Sequence, residues 1–266
     1  MLSQDNYPIS ALYGFIQSLK FILKRIIFSK KEEFSLAVAL DVGGRQNFRY
    51  EIYDKYKGNR SSIPEDLILQ LQLVRPMLDA FSIKYLYDQK CEADDIIATY
   101  SKHAKENDYE VIIVSGDKDL MQLISDKIKF FDINQKKFCS VEHVYEKFQI
   151  APEQICDYLS IVGDRSDNIP GIAGIGKKTA VDLLIKYHTL DDIYANLHQI
   201  NEIKIRNLLA NGYESAMLSK RLVTLKDNIN IGYTIDEMRW NGFKTDEEKL
   251  SQFLSKYSLE FLLSTF

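Results

Sequence analysis

The sequence predicts an α/β fold with a parallel sheet in the first half of the chain. Apolar runs of strand length alternate there with segments whose apolar residues have helical spacing. Alternating strands and helices are typical of a parallel sheet joined by crossover helices. The predicted strands and helices are, in chain order, residues 34–41 (strand), 67–81 (helix), 93–107 (helix) and 109–117 (strand).

The second half of the chain has a different pattern. From Ala151 onward it is typical of short helices, and Pro152 suits a first helical turn, where its missing N–H costs nothing. This change of class near residue 150 predicts two domains, an α/β domain at 1–150 and a helical domain at 151–266.

Composition is that of an ordinary globular protein, since 45% of the 266 residues are hydrophobic. The three cysteines, Cys91, Cys139 and Cys156, have neither metal spacing nor an even disulfide set, which favours a cytoplasmic protein and disfavours zinc. The basic segment 19–31 would suit a membrane surface, but its pattern favours a helix that faces the core. No apolar run is long enough to cross a bilayer, so we expect no membrane contact.

Three aspartates follow the predicted strands. Asp41 ends the first strand, and Asp117 and Asp119 follow the second across Gly116. Because ligands bind open α/β sheets at the carboxyl ends of the strands, we expect a site there. Asp117 and Asp119 share one side if their segment is extended.

Two more acidic motifs accompany these aspartates. In CEADDIIAT, Glu92 and Asp95 are three apart at a predicted helix start and so share a face, whereas Asp94 is rotated away from them. In GDRSDN, Asp164 and Asp167 share a side on a helical turn. We expect all of these acids to converge on one site.

Each motif alone has a simpler explanation. Acids at a helix amino terminus stabilise it by about 0.3–1 kcal/mol each. SGDKDL can form a capped turn and resembles acidic loops of phosphatases and receiver domains, and GDRSDN has the composition of a turn. Their joint occurrence favours metal binding, because eight gathered carboxylates repel one another unless cations neutralise them.

Carboxylate ligands without neighbouring histidines favour Mg²⁺ or Mn²⁺ over zinc. Pairs of such ions, about 4 Å apart, activate water and hold both oxygens of an in-line phosphoryl displacement. The sequence therefore predicts a phosphodiester substrate.

Two basic segments agree with such a substrate. Residues 45–60, RQNFRYEIYDKYKGNR, interleave cations such as Arg49 with aromatic rings, as in surfaces that bind single-stranded nucleic acid. A solvated amphipathic helix explains this segment equally well. Residues 171–180, GIAGIGKKTA, combine glycines, a helix amino terminus and two lysines, which suit a phosphate, although a helix-hairpin-helix packing turn is the alternative.

The net charge of −4 is unusual for a protein that binds nucleic acid. When the eight suspected metal ligands are set aside, however, −4 becomes +4. The acidic balance therefore does not exclude a nucleic-acid partner.

The chain resembles the 5′-to-3′ exonuclease domain of bacterial DNA polymerase I, within the flap endonuclease family. The resemblance runs from about residue 8 to the end and implies a PIN-like (resolvase-like) parallel sheet flanked by helices, then a helical domain with a helix-hairpin-helix (H3TH) motif. It is carried, in order, by ALYGF, ALDVGGRQNFRYEIYDKYKGNR, CEADD, SGDKDL, GDRSDNIPGIAGIGKKTA and LSKRLVTLK.

The resemblance also implies roles for individual residues. Lys57 and Arg60, as catalytic residues, together with Tyr56, would meet the single-stranded flap and the scissile phosphate. Two or more Mg²⁺ or Mn²⁺ ions would be held by the eight carboxylates Asp41, Glu92, Asp94, Asp95, Asp117, Asp119, Asp164 and Asp167. Duplex DNA and a monovalent cation, K⁺, would be bound by the hairpin residues Gly174, Gly176, Lys177 and Lys178.

The implied activity is metal-dependent cleavage of 5′ flaps and 5′ ends of DNA during replication and repair. The implied partner is a 5′-flapped or nicked duplex, bound by a monomer. Two alternatives stay open at this point: a catalytically impaired binder of branched DNA, and a PIN-like ribonuclease.

The start of the chain departs from the family pattern. Family members begin with an apolar strand that ends in an aspartate, whereas this chain begins almost at PISALYGF, and Asp5 follows no apolar strand. A missing central strand would expose ladder groups of its neighbours and remove one metal ligand. We therefore expect a marginally folded chain that cleaves flaps poorly but retains the parts for duplex binding.

Overall fold

The structure is a computed structural model that describes residues 7–27, 33–242 and 246–265. Asp5 and the last residues of the basic segment 19–31 lie outside the described residues. The chain divides into two compact units. Unit 1 comprises Met1–Leu40, Ser61–Tyr87 and Ile231–Phe266, and unit 2 comprises Asp41–Arg60 and Asp88–Asn230.

The described residues form helices throughout and strands only before residue 140. The α-helices are α1 (Ser10–Ile22), α2 (Phe48–Ile52), α3 (Glu65–Leu71), α4 (Val74–Ala80), α5 (Ala93–Glu106), α6 (Val141–Phe148), α7 (Ile155–Val162), α8 (Lys177–Tyr187), α9 (Leu190–Ala195), α10 (Ile203–Asn211), α11 (Tyr213–Val223) and α12 (Glu247–Lys256). The strands are β1 (Ala37–Ala39), β2 (Lys84–Leu86), β3 (Val111–Ser115), β4 (Ile128–Asp132) and β5 (Lys137–Cys139).

Unit 1 contains a two-stranded parallel sheet and its own apolar core. Strands β1 and β2 pair with Val38 opposite Tyr85. Helices α1, α4 and α12 bury apolar side chains in this core, and the Trp240 indole N–H donates to the Phe81 carbonyl at 3.1 Å. Leu19 and Leu23 lie in the core while Lys24 and Arg25 are exposed, which confirms the core-facing helix predicted for this part of the basic segment.

One predicted helix of unit 1 is two helices. Residues 67–81 are divided between α3 and α4, which are separated at Gln72 and Leu73. Pro76 lies in the first turn of α4, where no intrahelical acceptor exists for a backbone N–H, so the proline starts a new helix rather than continuing the first.

Unit 2 contains the three-stranded sheet in the order β3-β4-β5. Strands β3 and β4 are parallel, as predicted for this half, whereas β4 and β5 form an antiparallel hairpin that the sequence did not reveal. The second core packs β3 and β4 against α7, α8, α9 and α11. As predicted, the described residues beyond 150 are helical and loop segments, and Pro152 begins a 3₁₀ turn before α7.

No helix among the described residues is long and apolar enough to cross a bilayer.

Candidate metal and nucleic-acid site

Unit 2 brings four of the predicted acids into one electrostatic group around Asp94. Burial, together with the negative charges of Asp117, Asp41 and Glu92, raises the pKa of Asp94 to about 7 against the opposing charge of Lys57. Asp41 is fixed there because its Oδ1 accepts a hydrogen bond from the Ala93 backbone N–H at 2.7 Å. This group contains carboxylates whose charges are not balanced within the protein.

A second group surrounds Asp119. Burial and, next in size, the negative charge of Asp117 raise the pKa of Asp119 to about 7. The charges of Asp164 and Asp167 add to this shift, and the charge of Lys118 opposes it. Asp117 thus contributes to both groups. Its segment is not extended as predicted, because the Asp117 carboxylate caps a 3₁₀ turn by accepting from the Asp119 N–H at 2.9 Å.

The loop that carries Asp164 and Asp167 is closed by a backbone bridge between Asp164 and Ile169. Burial opposes ionisation of Asp164, but hydrogen bonds from Ser166 and the charge of Lys118 outweigh it, so its pKa lies below the ordinary value. Gly163 and Gly171 close the base of the loop. Both have positive φ, and a Cβ on either would lie within 2.4 Å of backbone atoms, so only glycine fits there.

Two cations of residues 45–60 reach these acids from the neighbouring segment. Lys57 Nζ lies 2.5 Å from Glu92 Oε1 and 3.7 Å from Asp167 Oδ2, and the Arg60 guanidinium pairs with Asp167. Backbone contacts hold the two segments together, since the Lys57 N–H donates to the Asp167 carbonyl at 2.9 Å. Lys57 and Arg60 therefore lie directly beside Glu92 and Asp167.

Asp95 and Arg49 form a different, sealed cluster. Asp95 is 0% exposed and Arg49 only 2%. The Arg49 guanidinium donates to both Asp95 oxygens, at 2.6 and 2.8 Å, and to the Leu222 carbonyl at 2.7 Å. Asp95 also accepts from the backbone N–H groups of Glu92 and Lys226.

These contacts argue against the metal-ligand role predicted for Asp95 and the DNA-binding role predicted for Arg49. All the acceptor positions of Asp95 are used by the protein, so it does not face the metal-site acids, and Arg49 does not reach the surface where DNA would bind. The sequence analysis placed Asp95 with Glu92 and rotated Asp94 away, whereas Asp94 is the one that joins the acidic group. Asp95 instead caps the amino terminus of α5, which is the simpler explanation given above for acids at a helix start.

Tyr56 is also placed differently from its prediction. Its ring is 3% exposed, which leaves no face for a base to stack on. Its hydroxyl donates to Glu92 at 2.9 Å and lies 3.4 Å from Asp167. Tyr56 thus orients two acids of the site from within the core.

The hairpin residues lie at the surface. Gly174 has φ +87°, and α8 begins directly after Gly176, so the first N–H groups of the helix point out of its amino terminus. Lys177 and Lys178 are exposed and have no ion-pair partner in the part of the chain that the structure describes. A Cβ on Gly176 would meet no protein atom within 4 Å, so this glycine is not required by packing.

No three acidic, histidine or cysteine side chains of the described residues form a ready-made metal cage. The donor set nevertheless suits Mg²⁺, which keeps several waters and uses one or two carboxylates with substrate phosphates rather than an all-protein cage. The raised pKa values of Asp94 and Asp119 show that these carboxylates lack compensation, which a divalent cation would supply.

Three residues beside the site were not predicted. Lys118 Nζ lies 3.8 Å from Asp164 Oδ2, the Asn168 side chain donates to the Lys55 carbonyl at 2.7 Å, and Asn59 donates to the Arg165 carbonyl. Asn168 carried a usable signal, because asparagine is enriched at positive φ and this residue has φ +57° between an aspartate and Ile-Pro.

Comparison with known proteins identifies the family. The profile of the 5′-3′ exonuclease N-terminal resolvase-like domain matches residues 1–149, and that of the 5′-3′ exonuclease C-terminal SAM fold matches residues 150–246. The chain therefore belongs to the 5′-3′ exonuclease family. The predicted family, its fold class and the prediction of a nuclease are confirmed.

Relatives span the whole described chain. The 5′-3′ exonuclease of Buchnera aphidicola is 36% identical over 96% of this chain and 89% of its own length. DNA polymerase I of Borreliella burgdorferi is 38% identical over 100% of this chain, which spans 28% of that polymerase.

Two solved structures share the fold. A T5 phage protein co-crystallized with metal ions is 25% identical, with a TM-score of 0.67 over 94% of this chain and 92% of its own. The catalytic core of Rad2 in complex with DNA substrate is 16% identical, with a TM-score of 0.61 over 100% of this chain and 87% of its own. At that identity the second match concerns the fold alone.

Proposed function

We propose that this chain is a structure-specific 5′ nuclease that hydrolyses phosphodiester bonds at 5′ flaps and 5′ ends of DNA. The observation that carries the proposal is the pair of acidic groups that share Asp117, with Lys57 and Arg60 beside them. Family membership supports hydrolysis of nucleic acid, and the acids and cations of this chain supply the chemistry for it.

In our proposal, these acids bind two or more Mg²⁺ or Mn²⁺ ions. Such ions, when bound, supply a metal-bound water as nucleophile and neutralise charge on the phosphate. Because Asp95 is sealed, seven of the eight predicted ligands remain for them: Asp41, Glu92, Asp94, Asp117, Asp119, Asp164 and Asp167.

Lys57 and Arg60 bind and orient the scissile phosphate. Lys57 already lies against Glu92 and Asp167, and Arg60 against Asp167, so a phosphate can accept from them while it contacts the acids. Tyr56 is a positioning residue, because its hydroxyl fixes Glu92 and Asp167 without reaching the surface. Orientation of this kind contributes to catalysis by holding the reacting groups in place.

The hairpin Gly174–Lys178 holds the duplex in this proposal, with K⁺ as its candidate monovalent cation, and residues 151–266 form the duplex-binding domain. Gly176→Val tests the assignment, because a Cβ at this position meets no protein atom within 4 Å and we expect the variant to fold. We expect weaker binding of flapped duplex and a smaller salt dependence. Unchanged affinity and salt dependence, with a normal melting temperature, would show that the hairpin does not bind DNA.

The central experiment compares cleavage of a 5′-flapped DNA duplex by the wild-type chain and by Asp117→Asn. We expect cleavage with Mg²⁺ or Mn²⁺, none in EDTA, and a loss of about 10²-fold or more in Asp117→Asn while DNA affinity changes little. Cleavage that persists undiminished in EDTA would contradict the metal mechanism.

Two controls separate the alternative functions. An all-RNA flap on the same duplex distinguishes a DNA nuclease from a ribonuclease, which would cut the RNA flap faster. Tight binding of flapped DNA without turnover at any divalent metal concentration would instead identify a non-catalytic binder of branched DNA.

A further inference from the structure

Unit 1 carries a surface cluster of rings and cations that the proposed nuclease site does not use. Tyr85 lies on β2, and Tyr87 directly follows the last residue of that strand. Their rings are stacked, with centroids 6.3 Å apart and planes inclined by 21°. The Tyr85–Tyr87 stack is half open to solvent, since Tyr87 is 42% exposed.

Cations from two elements flank this stack. The Arg75 guanidinium of α4 lies 4.1 Å from the Tyr87 ring centroid and 5.9 Å from that of Tyr85. Lys84 lies over the exposed ring of Tyr233, with its Nζ 5.1 Å from the centroid. Burial raises the pKa of Tyr85, and the neighbouring Tyr233 adds to this shift, so the Lys84–Tyr233 pair lies near the Tyr85–Tyr87 stack in unit 1.

The two cations are not engaged by carboxylates. Neither Arg75 nor Lys84 forms an ion pair with another described residue. After burial, the charge of Asp79 raises the pKa of Tyr85. After the hydrogen bonds from Thr234, the charge of Lys84 lowers the pKa of Glu237. Neither acid forms an ion pair with Arg75 or Lys84. This differs from Lys57 and Arg60, which are paired with acids.

Stacked aromatic rings flanked by cations without partners are the two components of a surface that binds single-stranded nucleic acid. A base can stack on the exposed part of Tyr87, and Arg75 and Lys84 can receive the adjoining phosphates.

We propose that Arg75, Lys84, Tyr85, Tyr87 and Tyr233 form a second binding site of this chain, specific for single-stranded DNA. The site lies entirely in unit 1 and requires neither a metal ion nor cleavage. It goes beyond the proposed function, and the two can fail independently.

The test measures binding of fluorescently labelled oligothymidylate, 20 nucleotides long, by anisotropy in EDTA at low salt. We expect Tyr87→Ala to weaken affinity by about 5- to 150-fold, the loss that accompanies removal of one stacking ring. Tyr87→Phe keeps the ring and should bind like the wild type. Arg75→Ala should also weaken binding and lower the salt slope by about 0.7, the value for one phosphate contact on a single strand.

Tyr145→Ala is the matched control, because Tyr145 is an exposed tyrosine, 59% accessible, in unit 2. We expect it to leave oligothymidylate affinity unchanged. A melting curve of each variant separates loss of contact from loss of folding. If Tyr87→Ala fails to fold, crosslinking to an oligonucleotide with 5-iododeoxyuridine replaces it, and the adduct should map to Tyr87, Tyr85 or Tyr233.

Three results would overturn the proposal: no binding of oligothymidylate by the wild type at 50 mM salt, wild-type affinity in folded Tyr87→Ala and Arg75→Ala, or crosslinks confined to unit 2. Tighter binding of oligouridylate than of oligothymidylate would reject DNA as the preferred strand. Because the assay contains EDTA, a chain that fails to cleave flaps can still satisfy it, and a chain that cleaves normally can still fail it.

Discussion

Residues 45–60 deliver cations to the acids of unit 2 in two contrasting ways. Arg49 and Asp95 are both fully buried and joined by two short hydrogen bonds. Arg49 also donates to the Leu222 carbonyl, and Asp95 accepts from the Lys226 N–H. Lys57 contacts Glu92 and Asp167, and Arg60 contacts Asp167, closer to the surface: the Arg60 side chain is 54% exposed and that of Lys57 14%. The comparison teaches that one segment of sequence contains both a buried structural pair and cations that, in the proposed function, exchange an acid for a phosphate.

The difference follows from desolvation. Once two charges are buried, neither can leave without stranding the other, whereas a surface pair is screened by water and contributes little. Arg49 and Asp95 therefore fix the amino terminus of α5, on which Glu92 and Asp94 depend for their positions. The Arg60–Asp167 pair therefore matters for the proposed function more than for stability.

The largest expected effect is on stability at the sealed pair. Arg49→Ala leaves the Asp95 charge buried without its partner, and we expect the free energy of unfolding to fall by about 3–5 kcal/mol. Urea denaturation followed by circular dichroism measures it. An Arg49→Ala variant within about 1 kcal/mol of the wild type would show that Asp95 does not depend on Arg49.

The next effect is on turnover at Lys57. Lys57→Ala should lower the rate of flap cleavage by about 10²-fold, because the scissile phosphate loses the group that orients it, while duplex affinity and melting temperature change little. Single-turnover cleavage together with a binding titration checks this. If binding and cleavage fall in equal proportion, Lys57 anchors the substrate rather than orienting it.

Sequence patterns predicted the elements with long, regular signals. Strand β3 is an uninterrupted apolar run and α5 has fourteen residues of helical spacing, so both were found close to their true limits. Strands β2 and β5 contain only three residues of mixed polarity each, which is too short for a periodic signal.

The candidate site shows a similar limit. The acids were predicted as a set, because their types and order are visible in the sequence. The burial of Arg49 and Tyr56 was not, since a run that interleaves cations and rings looks the same whether it faces DNA or a core. The exchange of Asp94 and Asp95 arose at the first turn of α5, where a capping hydrogen bond, not helical spacing, decides which way each side chain points.

A smaller effect concerns the acids that have no cation of their own. The folded state raises the pKa of Asp94 and Asp119 to about 7 from an ordinary 3.8, so between these values it holds protons that the unfolded chain has released. Stability should therefore fall as pH rises from about 4 to 7. Asp164 acts with the opposite sign, but its lowered pKa places its loss of stability below this window.

Melting temperatures in EDTA should consequently be lower at pH 8 than at pH 5.5, by roughly 2–4 °C for each kcal/mol lost in a chain of this size. Mg²⁺ should restore stability at pH 8 more than at pH 5.5, because it binds ionised carboxylates. Asp94→Asn should flatten the pH profile in EDTA. A melting temperature that rises across this range would contradict the assignment of these two acids as uncompensated.

The smallest effect is the coupling within the exposed pair itself. A double-mutant cycle with Arg60→Ala and Asp167→Ala should give an interaction free energy of about 0.2–1 kcal/mol, and 0.5 M salt should remove most of it, because an ion pair in contact with water is weak and screened. The same cycle on Arg49 and Asp95, with Arg49→Met and Asp95→Leu, should give a much larger coupling, since the double variant strands no buried charge whereas each single variant does. Urea denaturation at both salt concentrations supplies all the values. If the Arg60–Asp167 coupling reached 2 kcal/mol and resisted salt, that pair would be a structural element like the buried one, and Arg60 would be held too firmly to turn toward a phosphate.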